Sequence, residues 1–369
     1  MLRRTWYWLF VGLVAFATSM WGSDSALAER AGPFTGTVDG APIMTVLPKD
    51  AIPAIDHPTF VSATEGDRVM QPEEPILAVT DGKVAKAYSL WQLNHHEIVN
   101  DQLGSLPIAV TWCPLCFTGI VYVRPTHQGA PLIFGVSGQL WRDALVMYDR
   151  ETGSLWSHVT GGAIVGPLKG QTLTPYPASH TTWKQWRRLH PDTLVLSKQS
   201  AFGVEGTHNA YRRYFEDQEK LGIFGTRNPD AVLPGKEFVL GLSLGDTRVA
   251  YPYRDLNRQP LVQDMVNGEP ILVAFSAKEA TAVAFSRRVG ERVLEFANLR
   301  EADGDLVMED RQTGSTWQVL TGTAIKGQLT GSRLRQLPAT RAFWFAWKGF
   351  YSQTRLWRAS PHLPSHFQP

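Results

Sequence analysis

Apolar positions along this chain come in short runs rich in β-branched and aromatic residues, separated by turn formers. PIAVTW (107–112) and TGIVYV (118–123) are two such runs, and ILVAF (271–275) and TAVAF (281–285) are two more; runs of this length and composition predict strands. DRETGS (149–154) and DRQTGS (310–315) place Asp, Gly and Ser between apolar stretches, which predicts hairpin turns. TTWKQWRRLHP (181–191) and RAFWFAWKGF (341–350) predict short helices, with Trp183 and Trp186 on one helical face and Trp344 and Trp347 on another.

The pattern repeats. Residues 145–186 align without gaps to residues 306–347, with 21 of 42 positions identical. Upstream, YSLWQLN (88–94) matches YPYRDLN (251–257), and LPIAVTW (106–112) matches EPILVAF (269–275). Self-similarity at this level predicts two tandem homologous units, 74–197 and 237–357. Residues 29–73 are then a Pro-rich lead-in, 198–236 a connector and 358–369 a tail. The expected class is α+β, β-rich: two similar β-dominated units with short helices, related by a pseudo-two-fold axis.

Composition narrows the function. The chain has 369 residues, 36 Lys+Arg against 34 Asp+Glu, and 43% hydrophobic residues. That length favours two domains, and a net charge of +2 without long one-sign runs offers little to a phosphate backbone, so nucleic acid is not an expected partner. At the N-terminus, Arg3 and Arg4 precede an apolar run from Trp6 to Trp21, followed by Ala26-Leu27-Ala28. Residues 1–28 therefore read as a signal peptide, and the expected location is the periplasm or cell envelope, with a membrane anchor if the segment is retained.

Two cysteines in a chain this long cannot build a disulfide scaffold. They form Cys113-Pro114-Leu115-Cys116, the spacing of a redox dithiol and equally of half a metal site. Ser276 and Glu279 stand at the matching positions of the second unit, and Arg258, Gln259 and Pro260 stand opposite His95, His96 and Glu97. His158 faces Val319 in the alignment and His180 faces Arg341, so thiol and imidazole chemistry belongs to the first unit alone. TGIVYVR follows the motif, which puts CPLC in a turn between strands and argues against a thioredoxin fold, where the pair opens a helix.

Three readings follow. In the first, the protein is a thiol oxidoreductase or peroxide-type reductase with Cys113 attacking, Cys116 resolving, and His96 with Glu97 tuning protons, acting on a small-molecule substrate or a redox partner. In the second, Cys113, Cys116 and His96 hold copper or zinc, with Glu97, His95 or a methionine as fourth ligand. The third is a non-catalytic envelope protein, without cofactor, whose aromatic surfaces bind a partner or glycan and whose cysteines form a structural disulfide; so short a loop contributes less than the roughly 3 kcal/mol of a 15-residue one.

HHEIVND, AVTWCPLCFTGIVYVR, FGVSGQLW, LVMYDRETGSLW, GGAIVGPLKG and TTWKQWRRLHPDTLVLS, in that order, resemble the bacterial family DUF3179, a domain of unknown function. The resemblance extends through LPGKEFVLGL and FWFAW, covering nearly all of residues 70–357. Some members are described as selenoproteins, which implies chalcogen redox chemistry at the CPLC site. By position, the family pattern marks His95 to Asp101, Cys113 to Cys116 and Gly135 to Gly138. This chain departs from it with Phe117-Thr118 before Gly119, and with His95 where a large residue is expected.

Overall fold

The computed structural model describes residues 36–200, 203–302 and 305–360. The expected signal segment lies outside the described residues. The chain is β-rich with a few short helices, as its runs of β-branched residues dictate. Among the described residues, no helix is long and apolar enough to cross a membrane.

In the first half, Ser179–Thr182, Pro75–Thr80, Ala85–Ser89, Leu194–Leu196 and Phe60–Val61 form one sheet in that order. A second sheet runs Thr174–Tyr176, Thr118–Val123, Leu106–Cys113, Ile98–Leu103, and a third is built on the hairpin Phe134–Trp141 with Ala144–Asp149. The second half contains sheets of matching order. Ala339–Phe343, Phe238–Leu244, Thr247–Pro252 and Arg355–Leu356 form one, Leu261–Val266, Glu269–Ser276 and Thr281–Ser286 another, and Phe296–Ala302 leads a third. Leu194–Leu196 runs parallel to Ala85–Ser89, as Arg355–Leu356 does to Thr247–Pro252, while the remaining pairs of both sheets are antiparallel.

The predicted turns and helices form where residue chemistry requires. Asp149 accepts from the Thr152 amide at 2.6 Å and from the Trp156 indole at 2.8 Å, and Asp310 accepts from Thr313 at 2.6 Å and Trp317 at 2.9 Å. A turn carboxylate thus caps orphan N–H groups and satisfies a buried indole at once. Helices Trp183–Leu189 and Trp344–Phe350 each bury both tryptophans of their apolar face.

The lead-in is better structured than its composition suggests. Ala41–Thr45 pairs with Phe134–Trp141, and the Val46 and Leu47 amides both donate to the Gly138 carbonyl, at 2.9 and 3.0 Å. Gly138 lies in a bulge at φ +75°, and a Cβ there would stand 2.1 Å from the Leu47 oxygen. Only glycine lets the lead-in dock at this point. The largest core cluster runs from Cys113, Cys116 and Phe117 to Phe343, Phe345 and Ala346, so residues of both halves close over one region.

Candidate functional site

Strand Leu106–Cys113 returns as Thr118–Val123 with Cys113 opposite Thr118, leaving residues 114–117 as the loop. Pro114 has no amide proton and suits this corner. Phe117 adopts φ +51° and donates its amide to the Pro114 carbonyl at 3.3 Å. A left-handed non-glycine residue costs about 1–2 kcal/mol, and here its ring is held by T-shaped contacts with Trp112 (5.0 Å), Phe215 (4.9 Å) and Phe238 (4.8 Å). The Leu115 carbonyl accepts from the Tyr214 hydroxyl at 2.6 Å, and the Cys116 carbonyl accepts from the Phe343 amide at 3.0 Å. The loop is therefore clamped by the connector and by the second half.

Both cysteines are free thiols and buried. The imidazole that joins them is His158: one donor atom from each of Cys113, Cys116 and His158 lies within 4.8 Å of the others, and all three residues are buried. Thr118 ties the group together, its Oγ1 lying 2.9 Å from Cys116 Sγ and 3.3 Å from His158 Nδ1. His158 follows strand Leu155–Ser157; its amide donates to Leu145 at 3.1 Å, and its carbonyl accepts from the Tyr122 hydroxyl at 2.8 Å. His158 Nε2 is buried without a partner.

Burial raises both thiols, but the two differ. The neighbouring Cys116 thiol and the His158 imidazole stabilise the Cys113 thiolate and hold Cys113 well below the ordinary thiol value. Burial, and then the proximity of Cys113, push Cys116 well above it. One thiol is thus poised to ionise ahead of the other.

The residues from the HHE segment are placed differently. His96 turns Nδ1 to the Pro53 carbonyl at 2.8 Å and Nε2 to the Glu205 carboxylate at 2.7 Å, so both ring nitrogens are engaged away from the sulfurs. Burial and then the adjacent His96 lower His95. Glu97 sits at φ +58° with its carbonyl accepting from Trp112 at 2.7 Å; burial and then the charge of Cys113 raise its carboxyl well above the usual range. Glu97 therefore senses Cys113 but stands outside the three-donor group. In the second half, Glu279, aligned with Cys116, accepts from the Thr182 hydroxyl at 2.7 Å, and Val319, aligned with His158, is core.

His158 carried one signal in the sequence, its absence from the second unit. Nothing in the sequence linked it to cysteines about forty residues away, because strand topology makes that contact. A cleft of about 190 Å³ adjoins the site, lined by Gly119, Tyr122 and Val159 on one side and by Arg248, Trp347 and Tyr351 on the other.

A family model described as "Protein of unknown function (DUF3179)" matches residues 49–359. No curated protein and no solved structure matches the chain.

Proposed function

The chain belongs to the DUF3179 family, and from that premise we propose that it is a metal-binding protein of the cell envelope that holds a thiophilic ion, Cu(I) or Zn(II), on Cys113, Cys116 and His158. The observation that carries this reading is the convergence of two thiols and one imidazole within 4.8 Å in a buried site. Soft sulfur donors with an imidazole suit these ions. The depressed Cys113 thiol eases the deprotonation that ligation requires. In this reading His158 takes the ligand role expected of His96, whose two ring nitrogens are engaged by Pro53 and Glu205.

Two further readings accompany this one. The N-terminal pattern supports export, with residues 1–28 removed or kept as an anchor. The repeated sequence supports a duplicated scaffold, units 74–197 and 237–357 about a pseudo-two-fold axis, with chemistry retained in the first. Reciprocal contacts favour that scaffold: Phe343 reaches the Cys116 carbonyl, and Thr182, its aligned counterpart, reaches Glu279, the counterpart of Cys116.

Chain purified anaerobically from the envelope fraction is expected to carry near-stoichiometric metal, lost in Cys113→Ser and His158→Ala and kept in His96→Ala. Metal at background in the wild-type protein overturns the proposal. A second reading, a redox dithiol, is favoured by the opposed shifts of the two thiols. The burial of both sulfurs limits it to small oxidants. It predicts a potential between about −120 and −270 mV, whereas a value below about −300 mV marks a structural bridge.

A further inference from the structure

A second cleft, of about 350 Å³, lies on the seam between the two halves, and no residue of the cysteine centre lines it. The first half supplies Lys83, His190 and Asp192 to its walls, and the second supplies Thr323, Arg333 and Gln336. Gln336 ties the walls together: its Nε2 donates to the Ala178 carbonyl and to the Ser179 hydroxyl, both at 3.3 Å. Arg333 reaches across the seam, since a Cβ on Gly82 would stand 3.0 Å from its Nη1. Among the described residues, Lys83, Asp192 and Arg333 enter no ion pair. Three ionised groups thus line one cleft unpaired. Burial, then the charge of Arg333, lower the His190 pKa to about 4, so this imidazole is neutral and the positive charge belongs to Arg333 and Lys83.

The cleft of about 190 Å³ beside Tyr122 serves as an internal comparison, because aligned residues line both. Thr160, Thr172, Pro175 and Trp347 of the smaller one align with Thr321, Arg333, Gln336 and Trp186 of the larger. Tyr351 and His190, the C-caps of the two tryptophan helices, hold matching places. In the smaller cleft the Tyr351 hydroxyl donates across the seam to the Val159 carbonyl at 3.3 Å, and the Arg248 guanidinium lies 5.4 Å from the centre of its ring. A histidine is too short for that bridge, which leaves the larger cleft open. Arginine in place of threonine, and glutamine in place of proline, then add a cation and an amide to the space. All three differences suit a polar, charged occupant, whereas packing of one half on the other favours apolar contact.

We propose that the larger cleft binds a small hydroxylated carboxylate, of the sugar-acid class, with its carboxylate on Arg333. A guanidinium matches a carboxylate in a two-bond fork, and Lys83 adds a second positive charge. The volume exceeds what an inorganic ion fills and falls among small-molecule sites, about 300–1,000 Å³. Asp192 rejects a second negative charge and accepts from hydroxyls, as the Gln336 amide oxygen and Thr323 also do. Leu189, Leu320 and the His190 ring give the carbon face of a sugar an apolar wall. Binding here requires nothing of the cysteine centre, so it holds whether or not that centre carries metal.

The test is titration of the full chain, carrying ¹⁵N,¹³C-labelled histidine, with D-glucuronate and D-galacturonate. At least one is expected to move the His190 ring resonances saturably. D-glucose lacks the carboxylate and acetate lacks the hydroxyls, so each should bind at least about tenfold more weakly. Arg333→Thr, which installs the residue found at the aligned position of the smaller cleft, should weaken the sugar acid by about tenfold or more, and Arg248→Ala should leave its affinity unchanged. Glucose or acetate binding as tightly as the sugar acid would overturn the ligand class. Saturable shifts that survive Arg333→Thr at full affinity would overturn the carboxylate's placement, and a still His190 with either sugar acid at about 10 mM would overturn the site itself. The wild-type titrations decide the ligand class alone, so a misfolded variant does not blunt the test.

Discussion

Thr118 is the residue on which the arrangement of the donors turns. Its hydroxyl contacts Cys116 Sγ at 2.9 Å and His158 Nδ1 at 3.3 Å, so it fixes the distance between a thiol and an imidazole that lie at the ends of strands of different sheets. Thr118→Val keeps the shape and removes both bonds. Partners in this position typically contribute ten- to a hundredfold to metal affinity. Thr118→Val is therefore expected to weaken metal binding about tenfold or more, and Thr118→Ser to restore it, in competition titrations with a chromophoric chelator. Equal affinities in the valine and serine variants would remove Thr118 from the site's design. Cys113 and Cys116 were legible in the sequence because a CxxC pair is local. Thr118 was not, because a threonine between apolar residues reads only as strand.

At the scale of elements, local chemistry predicted what local chemistry determines. The Asp-x-x-Thr-Gly-Ser turns and the paired-tryptophan helices formed as expected, since their partners lie within a few residues. The lead-in shows only its proline content in the sequence, because its strand is completed by a distant hairpin and the bulge at Gly138. Helix Trp183–Leu189 offers a test of its own. His190, its C-cap, packs at a tilt against Trp186 with ring centroids 3.9 Å apart, and burial, then Arg333, bring its pKa down to about 4. The folded state thus holds a neutral imidazole that the unfolded chain protonates near 6.5. The stability this difference contributes is complete above about pH 6.5 and is lost as pH falls toward 4. It amounts to no more than about 3 kcal/mol. Urea unfolding of His190→Gln should show a shallower loss of stability between pH 6.5 and 4 than the wild-type chain. Parallel pH profiles for the two proteins would exclude the histidine as a source of acid sensitivity.

The whole molecule places the Cys113, Cys116 and His158 cluster in the first half and part of its cover in the second. The Phe343 amide holds the Cys116 carbonyl, and its ring lies stacked 5.0 Å from Phe238 and tilted 5.4 Å from Phe117, the residue that closes the cysteine loop. The connector adds Phe215 against Phe117 and the Tyr214 hydroxyl on Leu115. Both cysteines are buried beneath this aromatic plug, so the second half is expected to set how fast a bound ion escapes. Truncating a buried phenylalanine costs about 3–5 kcal/mol wherever it sits, so loss of stability alone does not test the idea. Phe296 provides the control: it is equally buried and packs on Trp317 at 5.7 Å, within a separate core cluster. Phe343→Ala and Phe296→Ala should lower stability comparably, but only Phe343→Ala should speed metal release to a chelator, by tenfold or more, under conditions where both variants remain folded. Equal release rates from the two variants would mean that the second half stabilises the fold without guarding the site, and the cover would then have to be sought in the connector alone.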